Sequence, residues 1–180
     1  LVGTQFKGKG TSIQNVVIVA KSGGDYTTIT EALNSITTAS DSNHFLIYVA
    51  PGVYNETVTM KPYVDIEGAG ELTTKITSPG STLWGASYAE LRFLTVESTG
   101  GSTYAIAIIN DYASPNLTHV TAYATGGTYT YGVLNRNTSG PTLTQVTITA
   151  AEDTGGGSYQ FGVYNNASSS EMTNCTVWAW

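Results

Sequence analysis

Apolar residues in this chain fall into short runs and period-two alternations, punctuated by Gly, Pro, Ser and Asn. Val16-Val17-Ile18-Val19-Ala20 and Phe45-Leu46-Ile47-Tyr48-Val49-Ala50 are continuous apolar runs. Each is stopped by turn residues (Ser22-Gly23-Gly24 and Pro51-Gly52), and both predict strands buried on two faces. Between them, Thr28 and Glu31 have capping-box spacing, and Ile29, Ala32, Leu33 and Ile36 share one helical face. Residues 29–37 are therefore predicted as a short amphipathic helix, placed to cover the end of a sheet and protect it from stray pairing. Further on, Val58 and Met60 alternate with Thr57 and Thr59, and Val64 and Ile66 with Asp65 and Glu67, the signature of half-buried strands. Lys75-Ile76-Thr77 begins another.

From residue 88 to 180 the pattern repeats. Thr103-Tyr104-Ala105-Ile106-Ala107-Ile108-Ile109-Asn110 has copies starting at Thr128 and Ser158, 25 and then 30 residues later. Leu91, Leu117, Leu143 and Met172 correspond, as do Leu94, Val120, Val146 and Cys175, and Val96, Ala122, Ile148 and Val177. These columns stay apolar and should stack inward. The threonines between the last two, Thr95, Thr121, Thr147 and Thr176, should face out. Strict alternation along the Tyr-led strand puts Tyr104, Tyr129 and Tyr159, then Ile106, Tyr131 and Phe161, then Ile108, Val133 and Val163 in the core. That face ends in an Asn110–Asn135–Asn165 ladder. Ala107, Gly132 and Gly162, with Ile109, Leu134 and Tyr164, are then predicted to face outward. One similar segment per repeat, with no mirrored pairs, predicts an all-β parallel β-helix in which each coil covers its neighbour. The repeats leave its handedness open.

Composition supports this and narrows the function. The 180 residues suffice for one domain, taken as 16–180 with residues 1–15 as an N-terminal arm. Charged residues are 11% of the chain, against roughly 25% in an average globular domain. With seven Lys and Arg and a net charge of -6, nucleic acid is excluded as a partner. No apolar run reaches the roughly 18 residues of a membrane helix. The chain begins at Leu1 and contains no signal peptide, so it reads as a processed product whose targeting segment lies upstream.

Candidate chemistry is sparse. Cys175 is the single cysteine, excluding an internal disulfide, and it falls in an apolar column. Asp111 follows the Asn110 corner without a second carboxylate nearby, and reads as a turn aspartate. Glu152 and Asp153 lie in the longest inserted loop, but their spacing matches no calcium loop. His44 and His119 are far apart, and His119 shares a column with Phe93, Gln145 and Asn174, as a tolerant surface corner would. No cofactor, metal site or catalytic group is predicted. Outward Thr columns do not extend into a regular ice-binding array, because the next outward column runs Glu97, Tyr123, Thr149, Trp178. The candidate glycan or partner surface is Tyr123, Leu134, Tyr164, Trp178 and Trp180. Asn-x-Ser/Thr sequons begin at Asn55, Asn116, Asn137, Asn166 and Asn174.

Two segments carry a family resemblance. Val16–Ala20 followed by Lys21-Ser22-Gly23-Gly24-Asp25-Tyr26-Thr27-Thr28-Ile29 and Glu31-Ala32-Leu33, with Ile47-Tyr48-Val49, Pro51-Gly52-Val53-Tyr54-Asn55-Glu56 and Val64-Asp65-Ile66-Glu67-Gly68-Ala69-Gly70, resembles the start of a pectin methylesterase. It covers roughly residues 16–77. The resemblance implies the right-handed β-helix of the pectin-lyase-like superfamily, capped by the short helix. Pectin methylesterases use two aspartates supported by glutamines and an arginine. The family's Gln-Asp-Thr motif would fall near Tyr123–Thr128, which has neither Gln nor Asp. Its Gln-Ala-Val-Ala motif would fall on Tyr104-Ala105-Ile106-Ala107, where tyrosine replaces glutamine. Asp-Phe-Ile-Phe-Gly and Arg-x-Trp have no counterpart. After residue 85 the Tyr-Gly-Val-Tyr-Asn and Met-Thr-Asn-x-Thr repeats resemble those of large bacterial surface proteins.

Without a carboxylate pair for acid/base and nucleophilic work, the sequence predicts a non-enzyme: an extracellular structural or adhesive module. The incomplete last coil, ending in Trp178-Ala179-Trp180, and the N-terminal arm predict end-to-end self-association into a filament or stalk. The rival readings are a carbohydrate-active enzyme of pectinesterase type with a rearranged site, and a polysaccharide-binding module using Tyr123, Tyr164 and Trp178.

Overall fold

A computed structural model describes residues 15–101, 103–152 and 158–180. Residues 1–14 of the predicted 1–15 arm, and Asp153, lie outside the described residues; Asn15 already belongs to the first strand. The chain opens with β1 (Asn15–Val19) and helix α1 (Ile29–Ser35), then winds through β2 (Phe45–Val49), β3 (Gly52–Asn55) and β4 (Val58–Thr59). The next coil is β5 (Val64–Gly68), β6 (Thr74–Ser78) and β7 (Ser81–Trp84). Two coils of longer strands follow, β8 (Glu90–Ser98) with β9 (Tyr104–Asp111), and β10 (Asn116–Thr125) with β11 (Tyr129–Arg136). Then come β12 (Thr142–Thr144), β13 (Thr147–Ala151) and β14 (Tyr159–Asn166), and last β15 (Glu171–Thr173) and β16 (Thr176–Ala179).

Every strand pair is parallel, and the result is a right-handed β-solenoid of about six turns. One sheet runs β1-β2-β5-β8-β10-β12-β15, with β3-β6 joining it at β8 and β13-β16 at β10. The second sheet is β4-β7-β9-β11-β14. The bend in the first sheet falls at Phe93, His119, Gln145 and Asn174, whose φ angles are 55°, 51°, 55° and 53°. Four successive coils thus turn their corner through one left-handed residue. Its side chain points away from the core, which explains why Phe, His, Gln and Asn are all accepted there.

The three apolar columns stack as their spacing predicts. Leu91, Leu117 and Leu143 are fully buried, as are Leu94, Val120 and Val146, and Val96, Ala122 and Ile148; Cys175 packs against the same core. The threonines between them face outward, and Thr95 and Thr121 donate to the Glu71 carbonyl and carboxylate at 2.7 and 2.6 Å. The first apolar run departs from expectation. Val16 and Ile18 are 42% and 43% exposed, while Val17 and Val19 turn inward. β1 is a half-buried rung paired to β2, and no described element packs on its outer face.

The helix is shorter than residues 29–37, because Ile36 is already extended and its N–H bonds the Leu33 carbonyl. Both ends are fastened by the next coil. Thr28 caps the start by accepting from the Glu31 N–H at 3.2 Å. The Glu56 carboxylate accepts from the Ile29 and Thr30 N–H groups at 2.9 and 2.8 Å and from the Thr30 hydroxyl at 2.6 Å. At the other end the Lys61 ammonium donates to the Leu33 and Ile36 carbonyls at 2.7 and 3.2 Å. Placing an anion on the first-turn N–H groups and a cation on the last carbonyls satisfies orphan donors and acceptors and suits the helix dipole. Tyr54, fully buried, donates to the Ala50 carbonyl at 3.0 Å, with Lys21 4.2 Å above its ring. The Gly-Val-Tyr-Asn-Glu segment thus holds the cap. Glu56→Gln keeps the shape but loses the charge, and is expected to cost about 1 kcal/mol. That corresponds to a melting-temperature drop of about 2–4 °C, measurable by calorimetry.

Candidate functional site: the outer face of the second sheet

Alternation fails in the middle of the Tyr-led strands, and the failure creates the site. On β9, Ala107 and Ile108 both enter the core, while Ile106 and Ile109 both belong to a separate cluster on the outer face, with Leu134, Trp84 and Tyr131. Two consecutive residues point inward, so the faces exchange at that point. Gly132 and Gly162 show why the column is small. A Cβ on either would run into the core side chain opposite, Ile148 or Val177. The correction to the sequence reading is specific. The Val and Asn columns are inward as predicted, the Gly column is inward and not outward, and Tyr104, Tyr129, Tyr159, Tyr131 and Phe161 lie outside the core.

The outer face is consequently aromatic. Tyr104, Tyr129 and Tyr159 are in register, with ring centroids 5.6 and 5.2 Å apart, and the end members are 53% and 56% exposed. Beside them Tyr131 stacks on Phe161 at 5.1 Å, and Tyr164 meets both edge-on at 5.6 and 5.0 Å. Burial, and then the neighbouring phenols Tyr164, Tyr104 and Tyr129, push the Tyr131 phenol above its ordinary pKa, so it stays a neutral donor.

At the far end of these strands Asp111 and Arg136 are in register. They are the charged residues of this sheet's strands. Arg136 Nη2 donates to Asp111 Oδ2 at 2.8 Å, and Asn137 Nδ2 to Oδ1 at 2.7 Å. These two bonds, the one from Arg136 foremost, hold the Asp111 carboxyl below the usual carboxylate range. The Arg136 guanidinium also lies 5.8 Å from the Trp84 ring centre. The site thus joins a broad apolar, hydroxyl-edged surface to one ionised carboxylate and one guanidinium.

The residues singled out from sequence divide between two places. Leu134 and Tyr164 pair directly on this face. Tyr123 and Trp178 both pair with Thr149 on the first sheet, and Trp180 makes an edge contact with Trp178 at 6.2 Å. Sequence reasoning missed Trp84, Tyr104, Tyr129, Tyr131, Phe161 and Arg136. For Tyr104, Tyr129, Tyr131 and Phe161 the signal was present in the repeated aromatics, but strict alternation assigned them to the wrong side; Trp84 and Arg136 were assigned to neither.

Other candidates resolve structurally. Carboxylates of Asp65, Glu67 and Glu90 converge on Arg92, which bonds Glu67 at 2.7 Å and Glu90 at 2.6 Å and lies 3.8 Å from Asp65. Burial raises the Asp65 pKa despite the Glu90 N–H and Arg92 beside it. His44 meets Tyr63 edge-on, and His119 stacks on Phe93. Among the described residues no group of three or more His, Cys, Asp and Glu side chains could hold a metal ion, and no helix is long and apolar enough to cross a membrane. A shallow groove of about 500 Å³ lies between Asn55, Thr77, Pro79 and Thr99.

The fold is a right-handed parallel β-solenoid of the pectin methylesterase type. The pectinesterase family model matches residues 15–130, well over half of the chain, and the chain therefore belongs to the pectinesterase family. A probable pectinesterase/pectinesterase inhibitor of Arabidopsis thaliana is 42% identical over 72 residues, 38% of this chain and 12% of the relative. A probable pectinesterase of the same plant is 31% identical over 101 residues, 48% of this chain and 27% of the relative. Among solved structures, the pectin methylesterase PemA from Erwinia chrysanthemi superposes with a TM-score of 0.60 at 15% identity, over 80% of this chain and 57% of that one. The carrot pectin methylesterase gives 0.55 at 15% identity, over 91% and 65%. This chain spans about a quarter or less of the curated relatives' length and between half and two thirds of those structures. The expectation of a non-enzyme is overturned by these matches: both the family and its structural neighbours are enzymes. The predicted right-handed fold is the one they share, and the resemblance to bacterial surface repeats is not shown by them.

Proposed function

We propose that the chain is a carbohydrate-active domain of pectinesterase type, which holds a pectic polymer on the aromatic face of β9, β11 and β14 and presents its ester to Asp111. One observation carries this reading. Tyr104–Ala107, where the family resemblance places the Gln-Ala-Val-Ala motif, lies on the strand that bears the aromatic face and ends in Asp111. An ionised carboxylate can attack an ester carbonyl or take a proton from water. A guanidinium bonded to it can steady negative charge developing on the carbonyl oxygen. The site is rearranged from the two-aspartate pattern, with one carboxylate and a phenol-rich surface. On this reading the protein works outside the cell.

Methanol release from methyl-esterified pectin tests the reading, with Asp111→Asn as the paired variant. Release that falls at least about 100-fold in the variant, with unchanged circular dichroism, supports Asp111 as the reacting carboxylate. Release equal in both proteins removes Asp111 from the chemistry, and no release from the parent chain overturns the esterase reading.

A further inference from the structure

The two ends of the solenoid differ in how their strand edges are finished. At the C-terminal end β14, β15 and β16 each pair on one side only among the described residues. At the N-terminal end β1 pairs with β2 through one edge, and the chain folds back over the other. Ile18 N–H donates to the Asp25 carboxylate at 2.8 Å. The Asp25 and Tyr26 N–H groups donate in turn to the Ile18 carbonyl at 2.8 and 3.2 Å, and Ala20 N–H donates to the Tyr26 carbonyl at 3.0 Å. Tyr26 thereby forms a single parallel bridge to Val19. Gly24 lets the turn lie this close, because a Cβ there would be 2.8 Å from both Ala20 N and the Ile18 carbonyl oxygen. Ile29, Ala32 and Leu33 of α1 fill the core beside this edge, in one cluster with Val17 and Val19.

Head-to-tail stacking would set β15 of one copy on β1 of the next, a heterologous contact that repeats without closing. The register of the first sheet fixes what would meet. Ile18 heads a column that runs through Glu67 and Arg92 to Thr173. A further rung in that register puts Thr173 of a second copy beside Ile18. A parallel ladder then needs the Ile18 N–H to reach the second copy's Met172 carbonyl. We propose that Asp25 guards the first rung against a second copy of this chain. Its carboxylate stands where the incoming β15 would have to supply an acceptor, so head-to-tail stacking is closed at the N-terminal end. An open strand edge is a template for such pairing, and a charge set on it is one way to blunt it. The guard is independent of the pectic-polymer reading.

Sedimentation velocity on the full chain over a range of concentrations tests it. Head-to-tail contacts give an open series of species, whereas pairing between two C-terminal ends stops at a dimer. The parent is expected to form nothing larger than a dimer. Asp25→Ala uncovers the Ile18 N–H and is expected to form the open series, with stacking strengthened at least about tenfold, the weight of one charge-assisted hydrogen bond. Its backbone bonds to Ile18 remain, so circular dichroism should be unchanged. Asp25→Asn keeps an acceptor oxygen and should behave as the parent. Adding Ile18→Lys to Asp25→Ala puts a charge on the outer face of the edge strand, where Ile18 is already 43% exposed, and should abolish the series. Hydrogen exchange on the parent gives a readout that needs no variant: the Ile18 amide should be protected although β1 is the end rung. The guard is overturned by an open series in the parent, or by an Asp25→Ala protein that matches the parent at every concentration. Association of Asp25→Asn like that of Asp25→Ala, a series that survives Ile18→Lys, or an Ile18 amide exchanging at the unprotected rate overturns it equally.

Discussion

Gly132→Ala is expected to destabilise the protein by about 2–3 kcal/mol, although it adds a single methyl group. The position is buried within β11, and the new Cβ would meet Ile148 Cγ2 head-on and sit 2.7 Å from the Gly162 carbonyl oxygen. One of those neighbours is backbone of the next coil, so it cannot swing aside as a side chain would. Overpacking a closed core costs on this scale, and the urea midpoint should fall with unchanged slope. Two companion variants make the result interpretable. Gly140→Ala meets nothing nearer than Ser114 Oγ at 3.8 Å and is expected to be close to neutral. Pairing Gly132→Ala with Ile148→Ala should cost less than the sum of the two, because truncating Ile148 removes the clash that Gly132→Ala creates. A Gly132→Ala protein as stable as the parent would mean that the column faces solvent, and the aromatic face would then have to be redrawn.

That glycine also marks where the sequence stops being legible. The columns from Leu91 to Val177 were readable because each position keeps its chemical character from coil to coil and its side chain has one place to go. The Asn column was readable for the same reason: an amide can satisfy itself on its own copies. The tyrosines were not. A tyrosine has an apolar body and a polar tip, so burial and exposure suit it almost equally, and only its phase along the strand could decide. Phase was carried through Ala107, Gly132 and Gly162 on the assumption of strict alternation, and these are the positions where two successive residues turn inward. Small residues recurring at one place in every coil are a signal that a neighbour approaches closely; read so, they would have placed the tyrosines outside. The Asp111–Arg136 pair was invisible for a different reason. Its members are 25 residues apart and meet only because the coils stack in register.

Asn135→Leu is expected to be the more damaging of the two core substitutions, at about 3–4 kcal/mol. Asn135 is fully buried at the centre of the ladder, accepting from Asn110 Nδ2 and donating to Asn165 Oδ1, both at 2.8 Å. Leucine removes both bonds and leaves the Asn110 amide, itself fully buried, without a partner for its donors. Its Oδ1 already has none among the described residues, since it lies against Gly85. A buried donor deprived of its acceptor costs about 1–3 kcal/mol beyond the lost bonds. Asn165, at the exposed side of the ladder, can turn to water or to Ser170, 3.4 Å away, and should contribute little. The double variant Asn110→Ala with Asn135→Ala separates these contributions: removing both partners takes away the orphaned group, so it should cost clearly less than the two single alanine variants added together. Hydrogen exchange gives the second readout. A solenoid's coils depend on their neighbours more than on distant parts of the chain, so protection should fall first in β9, β11 and β14 while β2, β5 and the Glu56-capped helix keep theirs. Uniform loss across the chain would show instead that the ladder holds the whole solenoid as one cooperative unit.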